Sequence, residues 1–237
     1  IEKFLQTRWG AKKPSTYNQY YTKLHWFFEE AIKHCRKKGV PAFYNPVALL
    51  DTEAIDLKDK TFIPVERMQE YVKLFTNKKH WLIVNILLAT GMRRSELIGD
   101  DAVGKHGIRR CDIDGRILNI YNPKSGRERE YTIIPTYLLE KLNQYIIDNK
   151  IGWSETVLKL NPTTLYDIVI VRSEKFNEKI TPHYFRAWCS SYWKNVVKDE
   201  FMAKFFLRHA KKLEDRYHAI AVEDIMERQD KEGVRFS

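Results

Sequence analysis

Four separated groups of polar side chains carry the chemistry open to this 237-residue sequence. The first is Thr90-Gly91-Met92-Arg93-Arg94-Ser95-Glu96-Leu97, which sets Arg93 directly behind a tight turn closing an apolar helix, so its guanidinium is held by a rigid neighbour. The second is Lys124 in Asn122-Pro123-Lys124-Ser125-Gly126-Arg127, at a hairpin tip, where a lysine can swing into a groove. In the third, Thr181-Pro182-His183-Tyr184-Phe185-Arg186, the His and Arg stand at i and i+3 on one helix and can reach one phosphate. The fourth is Phe206-Leu207-Arg208-His209, followed by Tyr217. Taken singly, each has a plain structural reading. An Arg behind a helix-ending Gly is a capping or surface residue, a hairpin lysine is solvated, a His-x-x-Arg pair is as readily a surface hydrogen-bonding pair, and Tyr217 is one tyrosine among 13.

The elements that must position these groups are mostly helical. Behind Pro14, Ser15 can cap a helix from Thr16 to about Lys38, with Tyr20, Leu24, Phe27, Phe28, Ala31 and Ile32 at helical spacing and Gly39 closing it. The polar stretch after Leu49 has no sustained period, which places a domain boundary near residue 58. Met68, Val72 and Phe75 mark one face of a helix from Val65, and Trp81 to Leu88 is apolar all round, as in a buried helix, with Gly91 as its stop. Asp114-Gly115 and Ser125-Gly126 separate short β-type runs (Ile108 to Ile113, Arg116 to Tyr121, Glu130 to Ile134), which predicts two successive hairpins. Helices are predicted again at Tyr137 to Asp148, Pro162 to Arg172, Pro182 to Val197 (capped by Thr181), Met202 to Leu207 and Val222 to Lys231. On the last of these the stripe of Ala221, Ile225 and Met226 suits packing on the chain's own core. The fold class expected is mainly α with a small antiparallel β-sheet.

Composition narrows the partners. Hydrophobic residues at 43% supply enough apolar surface for a core and exclude a disordered tail. Lys plus Arg number 41 against 31 Asp plus Glu, so the formal charge of +10 attracts polyanions. Basic pairs and runs recur at Lys12 and Lys13, at Arg36, Lys37 and Lys38, and at Arg208, Lys211 and Lys212. That spread fits a wide basic surface of the kind a DNA duplex needs, with Arg94, Arg127 and Arg129 as further candidate contacts. Cys35, Cys111 and Cys189 form no Cys-x-x-Cys pair, which argues against a zinc ribbon or disulfide framework and for an intracellular, cytoplasmic setting. No apolar stretch approaches the roughly 20 residues that span a bilayer, so no membrane partner is expected. The chain begins at Ile1 rather than Met, which is consistent with a piece missing upstream.

Arg, then hairpin Lys, then His-x-x-Arg, then His, then Tyr, in that order, resembles the tyrosine recombinase family, which includes phage, plasmid and archaeal integrases. The resemblance covers most of the chain. Its Thr-Gly-x-Arg-x-Ser-Glu-Leu motif falls on Arg93 and Glu96, its hairpin lysine on Lys124, its His-x-x-Arg on His183 and Arg186, its later His on His209 and its nucleophile on Tyr217. Residues 1–58 resemble part of the helical core-binding domain, and 59–237 the catalytic domain. Three departures stand out: Arg208 occupies the place of a usual Gly, Ala187 that of a usual second His, and Tyr217 follows His209 by eight positions, one fewer than usual.

The resemblance implies strand cleavage and religation of duplex DNA without cofactor, metal or ATP. Attack on a phosphodiester piles charge onto the phosphoryl oxygens. Arg93 and Arg186 are expected to clamp those oxygens, Tyr217 to attack phosphorus, and Lys124 to protonate the leaving oxygen. His183 and His209 would bond the phosphate or manage the tyrosine proton, and Glu96 would orient an Arg or His. The expected partners are double-stranded DNA, gripped by a two-part clamp, and further copies of the chain as a dimer or tetramer on paired sites. Two alternatives are a type IB topoisomerase-like relaxing enzyme, which would not need paired sites, and a DNA-binding module that has lost catalysis. If Tyr217 is not the nucleophile, Tyr184 and Tyr192 are next.

Overall fold

The computed structural model describes residues 3–4, 7, 14–50, 62–121, 129–208 and 222–236. The chain divides into two compact units, Ile1–Thr61 and Phe62–Ser237.

In the first unit, helix α1 (Pro14–Lys37) carries His34, Arg36 and Lys37 in its last turn, where cations suit the negative end of the helix dipole. Gly39, at φ 67°, turns the chain back. Tyr17, Ile32 and Val47 are buried. The Asn45 carboxamide fixes the return, donating to Glu29 (2.7 Å) and to the His25 carbonyl while its oxygen accepts from the Val47 N–H.

The second unit is built around α3 (Lys78–Thr90), preceded by α2 (Val65–Lys73). Asn77 caps α3 by accepting from the Lys79 and His80 N–H groups, and from Leu82 to Leu88 every residue is buried. Past its first turn this helix is apolar on nearly every side, Asn85 apart, because it has no face there to give to water. Around it lie α4 (Arg94–Ile98), α5 (Thr136–Asp148), α6 (Pro162–Phe176), α7 (Pro182–Ser191) and α8 (Glu200–Leu207). A three-stranded antiparallel sheet, β1 (Ile113–Asp114), β2 (Ile117–Tyr121) and β3 (Arg129–Ile133), runs in the order β1-β2-β3 with Ile117 opposite Ile133. Trp188 of α7 donates from Nε1 to the Ile63 carbonyl, and the Tyr184 hydroxyl accepts from the Ile63 N–H, so α7 straps the start of the unit to its core.

The last helix, α9 (Val222–Glu232), packs on the chain's own core. Ile225, Gln229 and Phe236 are buried, Gln229 donates to the Ile133 carbonyl, and Asp230 pairs with Arg116 at 2.9 Å.

Two elements differ from expectation. The run Ile108 to Ile113 is strand only at its end; Arg110–Asp112 is a 3₁₀ turn, because the Asp112 carboxylate accepts from the Arg109 N–H and guanidinium and curls the backbone there. The helix predicted from Pro182 to Val197 is α-helical only to Ser191 and widens to a π-helix over Tyr192–Val197. Widening lets the consecutive rings of Tyr192 and Trp193 both be buried, one stacked on Trp188 and the other on Phe206.

Candidate active site

The Gly91 turn is the anchor. Gly91 ends α3 at φ 58°, its N–H donating to the Leu87 carbonyl. A Cβ there would stand 3.1 Å from the Phe206 carbonyl oxygen at the end of α8. Glycine is thus required twice, by the left-handed backbone and by the close approach of a second chain segment. Met92 is buried directly behind the turn, and Arg93 follows as the residue before α4.

Glu96, three residues into α4, folds its carboxylate back onto Arg93. It accepts from the Arg93 N–H and from Arg93 Nη1, both at 2.7 Å. The Arg93 side chain is 29% exposed and the Glu96 side chain 1%, so Glu96 is a buried support and Arg93 reaches outward from it.

Arg186 enters from α7. Its side chain is buried, Nη1 donating to the Gly91 carbonyl and Nη2 to the Leu207 carbonyl. One guanidinium therefore ties the α3 turn to the end of α8. Burial, reinforced by the charges of Arg208 and Arg93 and opposed by Glu96, pulls its pKa down to about 10, which still leaves it a cation at neutral pH. His183, three residues earlier on the same helix, is exposed.

Arg208 departs from its expected place on a DNA-facing basic surface. It is the left-handed residue that ends α8, at φ 51°, and its side chain is 5% exposed. Nη2 pairs with Glu96, and Nε with Glu130 of β3 at 3.1 Å. Two buried carboxylates hold the guanidinium inside because neither could be buried without a cation. Burial works to raise the Glu96 carboxyl, but Arg208, together with the Arg93 N–H and guanidinium, outweighs it and holds Glu96 below its ordinary value.

Glu130 was not singled out from the sequence. The available signal is its place in the two-residue period of β3, in step with the buried Thr132 and Ile134; a carboxylate on that face needs a buried partner.

Of the other expected residues, Arg94 is half-buried and donates to the Pro162 carbonyl at 3.3 Å, and Arg36, Lys37 and Lys38 are exposed at the end of α1. Lys124, His209 and Tyr217 lie outside the described residues, as do Lys12, Lys13, Arg127, Lys211 and Lys212; Arg129 is described in its backbone alone. The two fallback tyrosines are both committed to structure. Tyr184 accepts from Ile63 and Tyr192 donates to the Glu232 carbonyl, and burial pushes both phenols up.

No protein-family model matches the sequence, and no curated protein matches it either. Experimental structures do match in fold. A Tn1549 transposon integrase in complex with transposon right end DNA aligns with 97% of this chain and 83% of its own, at TM-score 0.69 and 16% identity. The XerH site-specific recombinase bound to its difH substrate aligns with 94% of this chain and 67% of its own, at TM-score 0.63 and 16% identity. A lambda integrase tetramer bound to a Holliday junction aligns with 93% of this chain and 65% of its own, at TM-score 0.66 and 14% identity. The fold is thus that of DNA integrases and site-specific recombinases. It is the fold that the resemblance to tyrosine recombinases implied, mainly helical with one small antiparallel sheet. Among the described residues, no helix is long and apolar enough to cross a membrane.

Proposed function

We propose that this chain is a site-specific DNA recombinase that cleaves and rejoins duplex DNA through a 3′-phosphotyrosyl intermediate. The observation that carries the reading is that Arg93 and Arg186, distant in sequence, are both held at the Gly91 turn: Arg186 bonds the turn's carbonyl and Arg93, two residues beyond it, is set by Glu96. Two rigidly held guanidiniums, one just before α4 and one from α7, suit the non-bridging oxygens of one phosphate. They act where charge develops, which is where fixed donors accelerate a reaction most.

In the proposed reaction the Tyr217 oxygen attacks phosphorus and its proton passes to a neighbouring base, with His183 and His209 the candidates. The bond from phosphorus to the 5′-oxygen breaks, and Lys124 donates the proton that makes this oxygen a hydroxyl. The phosphotyrosine conserves the bond energy, so the reverse attack by a 5′-hydroxyl religates without ATP. The helical unit at residues 1–58 would add its own grip on the duplex, with the exposed Arg36, Lys37 and Lys38 among its phosphate contacts. Assembly as a dimer or tetramer on paired sites is supported by the lambda integrase tetramer of the same fold.

The test is a covalent trap. A pool of nicked duplexes with a randomised segment is incubated with the protein, denatured in detergent, and the adducted residue is identified by mass spectrometry. A nucleotide on Tyr217, lost in Tyr217→Phe with DNA binding retained, is the expected result. Adducts on another residue move the nucleophile, binding without any adduct indicates a module that has lost catalysis, and relaxation of supercoils by unpaired single copies indicates a topoisomerase.

A further inference from the structure

Arg208 ends α8 in the left-handed region, which disfavours any residue with a Cβ and which glycine adopts freely. The family that the chain resembles has glycine at this place. Lys150, Asn177 and Lys198 also stand in that region, so what sets Arg208 apart is its side chain. That side chain is buried, with Nη2 on Glu96 and Nε on Glu130, whose own side chains are 1% and 4% exposed. Its remaining nitrogen, Nη1, is buried with no partner among the described residues. What it does offer is charge balance. Without it, Glu96 and Glu130 would be two carboxylates buried side by side, and Arg93 would be the cation left to answer Glu96.

We infer that Arg208 is a positioning residue of the site: by taking one oxygen of Glu96 and one of Glu130, it leaves the Arg93 guanidinium engaged, among the described residues, through Nη1 alone, so that its other donors can meet a phosphate oxygen. It also ties three segments together. These are the start of α4, the strand that follows Lys124 in the chain, and the helix end that precedes His209. The inference rests on the proposed recombinase reading for what the phosphate is, but not for the geometry of the oxyanion site.

The experiment compares wild type, Arg208→Gly and the double variant Arg208→Gly with Glu130→Gln. Glycine suits the backbone, so a purely conformational position would keep or gain activity. Loss of positioning predicts that Arg208→Gly forms the trapped adduct about tenfold to a hundredfold more slowly in a single turnover, the equivalent of one charge-assisted hydrogen bond, with DNA affinity unchanged. Removing the stranded carboxylate in the double variant should restore part of the rate. Equal rates in Arg208→Gly and wild type overturn the inference. So does an equal loss in both variants that follows a fall in thermal stability, since that is what a structural residue would give. A second readout uses no DNA: orthovanadate affinity by calorimetry, expected in the order wild type, double variant, Arg208→Gly. If wild type forms no adduct with any duplex but this order holds, the recombinase reading fails and the positioning inference stands. Equal vanadate affinities, or none, overturn it.

Discussion

Replacing Glu96 by Gln tests the support beneath Arg93 at nearly constant shape. In the folded chain one carboxylate oxygen, Oε2, accepts from the Arg93 N–H and pairs with Arg208, while Oε1 accepts from Arg93 Nη1. A carboxamide has one accepting oxygen. Placed at Oε2, it turns its NH₂ toward Arg93 Nη1, donor against donor; placed at Oε1, it turns the NH₂ toward two donors instead. The charge that balances Arg208 is lost in either case. Breaking a buried ion pair from one side costs about 3 kcal/mol or more, and for a domain of this size that lowers Tm by about 6–12 °C. The effect should depend on pH with a definite sign. Because folding holds the Glu96 carboxyl below its ordinary value, its contribution is complete above the ordinary carboxylate range and is lost as pH falls through the lower folded value. Calorimetric melts from pH 7 down to pH 3 should therefore show wild type and Glu96→Gln far apart at neutrality and converging in acid. A Tm difference under about 2 °C at pH 7, less than 1 kcal/mol here, would refute the reasoning, because it would mean the carboxylate is not carrying the two arginines.

Two further outcomes follow from the same geometry. Arg186→Lys keeps the charge but cannot reach the Gly91 and Leu207 carbonyls while still facing a phosphate; adduct formation should fall about a hundredfold to a thousandfold, as for loss of an oxyanion donor, and near-normal rates would show that a point charge suffices. Gly91→Ala forces a Cβ into the left-handed backbone, 3.1 Å from the Phe206 carbonyl oxygen, and should cost about 1–3 kcal/mol, read as a lower midpoint in urea; an unchanged midpoint would mean that α8 can withdraw freely.

The fold was largely legible because its signals are local. The apolar circumference of Trp81 to Leu88, the Gly91 stop and the Thr181-Pro182 start each fix an element through neighbours a few residues away, and each stands within three residues of where the pattern puts it. The 3₁₀ turn at Arg110–Asp112 was hidden because β-type residues such as Ile108 and Ile113 flank it, and the Asp112 carboxylate that curls it leaves no mark on hydrophobic period. Of the candidate site, motif order proposes Arg93, Glu96 and Arg186, and the structure adds how Glu96 and the Gly91 turn hold the two arginines. Arg208 was misread because a basic run containing Lys211 and Lys212 looks like a solvated surface. What distinguishes Arg208 lies far away in sequence, in Glu96 and Glu130, and pairing across such distances leaves no trace in local composition.

That misreading bears on how much charge the site can hold at low cost. Arg93, Arg186 and Arg208 place three cations around one buried pair of carboxylates. Cations packed together inside a protein repel, and burial first, then the charges of Arg208 and Arg93, lower the pKa of Arg186. The two carboxylates offset most of that repulsion and leave an excess of one positive charge, set at the edge where Arg93 emerges into solvent. A phosphate diester carries one negative charge, so its arrival would neutralise the cluster, and attack on phosphorus would add the further charge that the unspent donors of Arg93 can accept. In the proposed reading, the balance of buried charge, more than any single arginine, is what suits this cluster to a singly charged oxyanion.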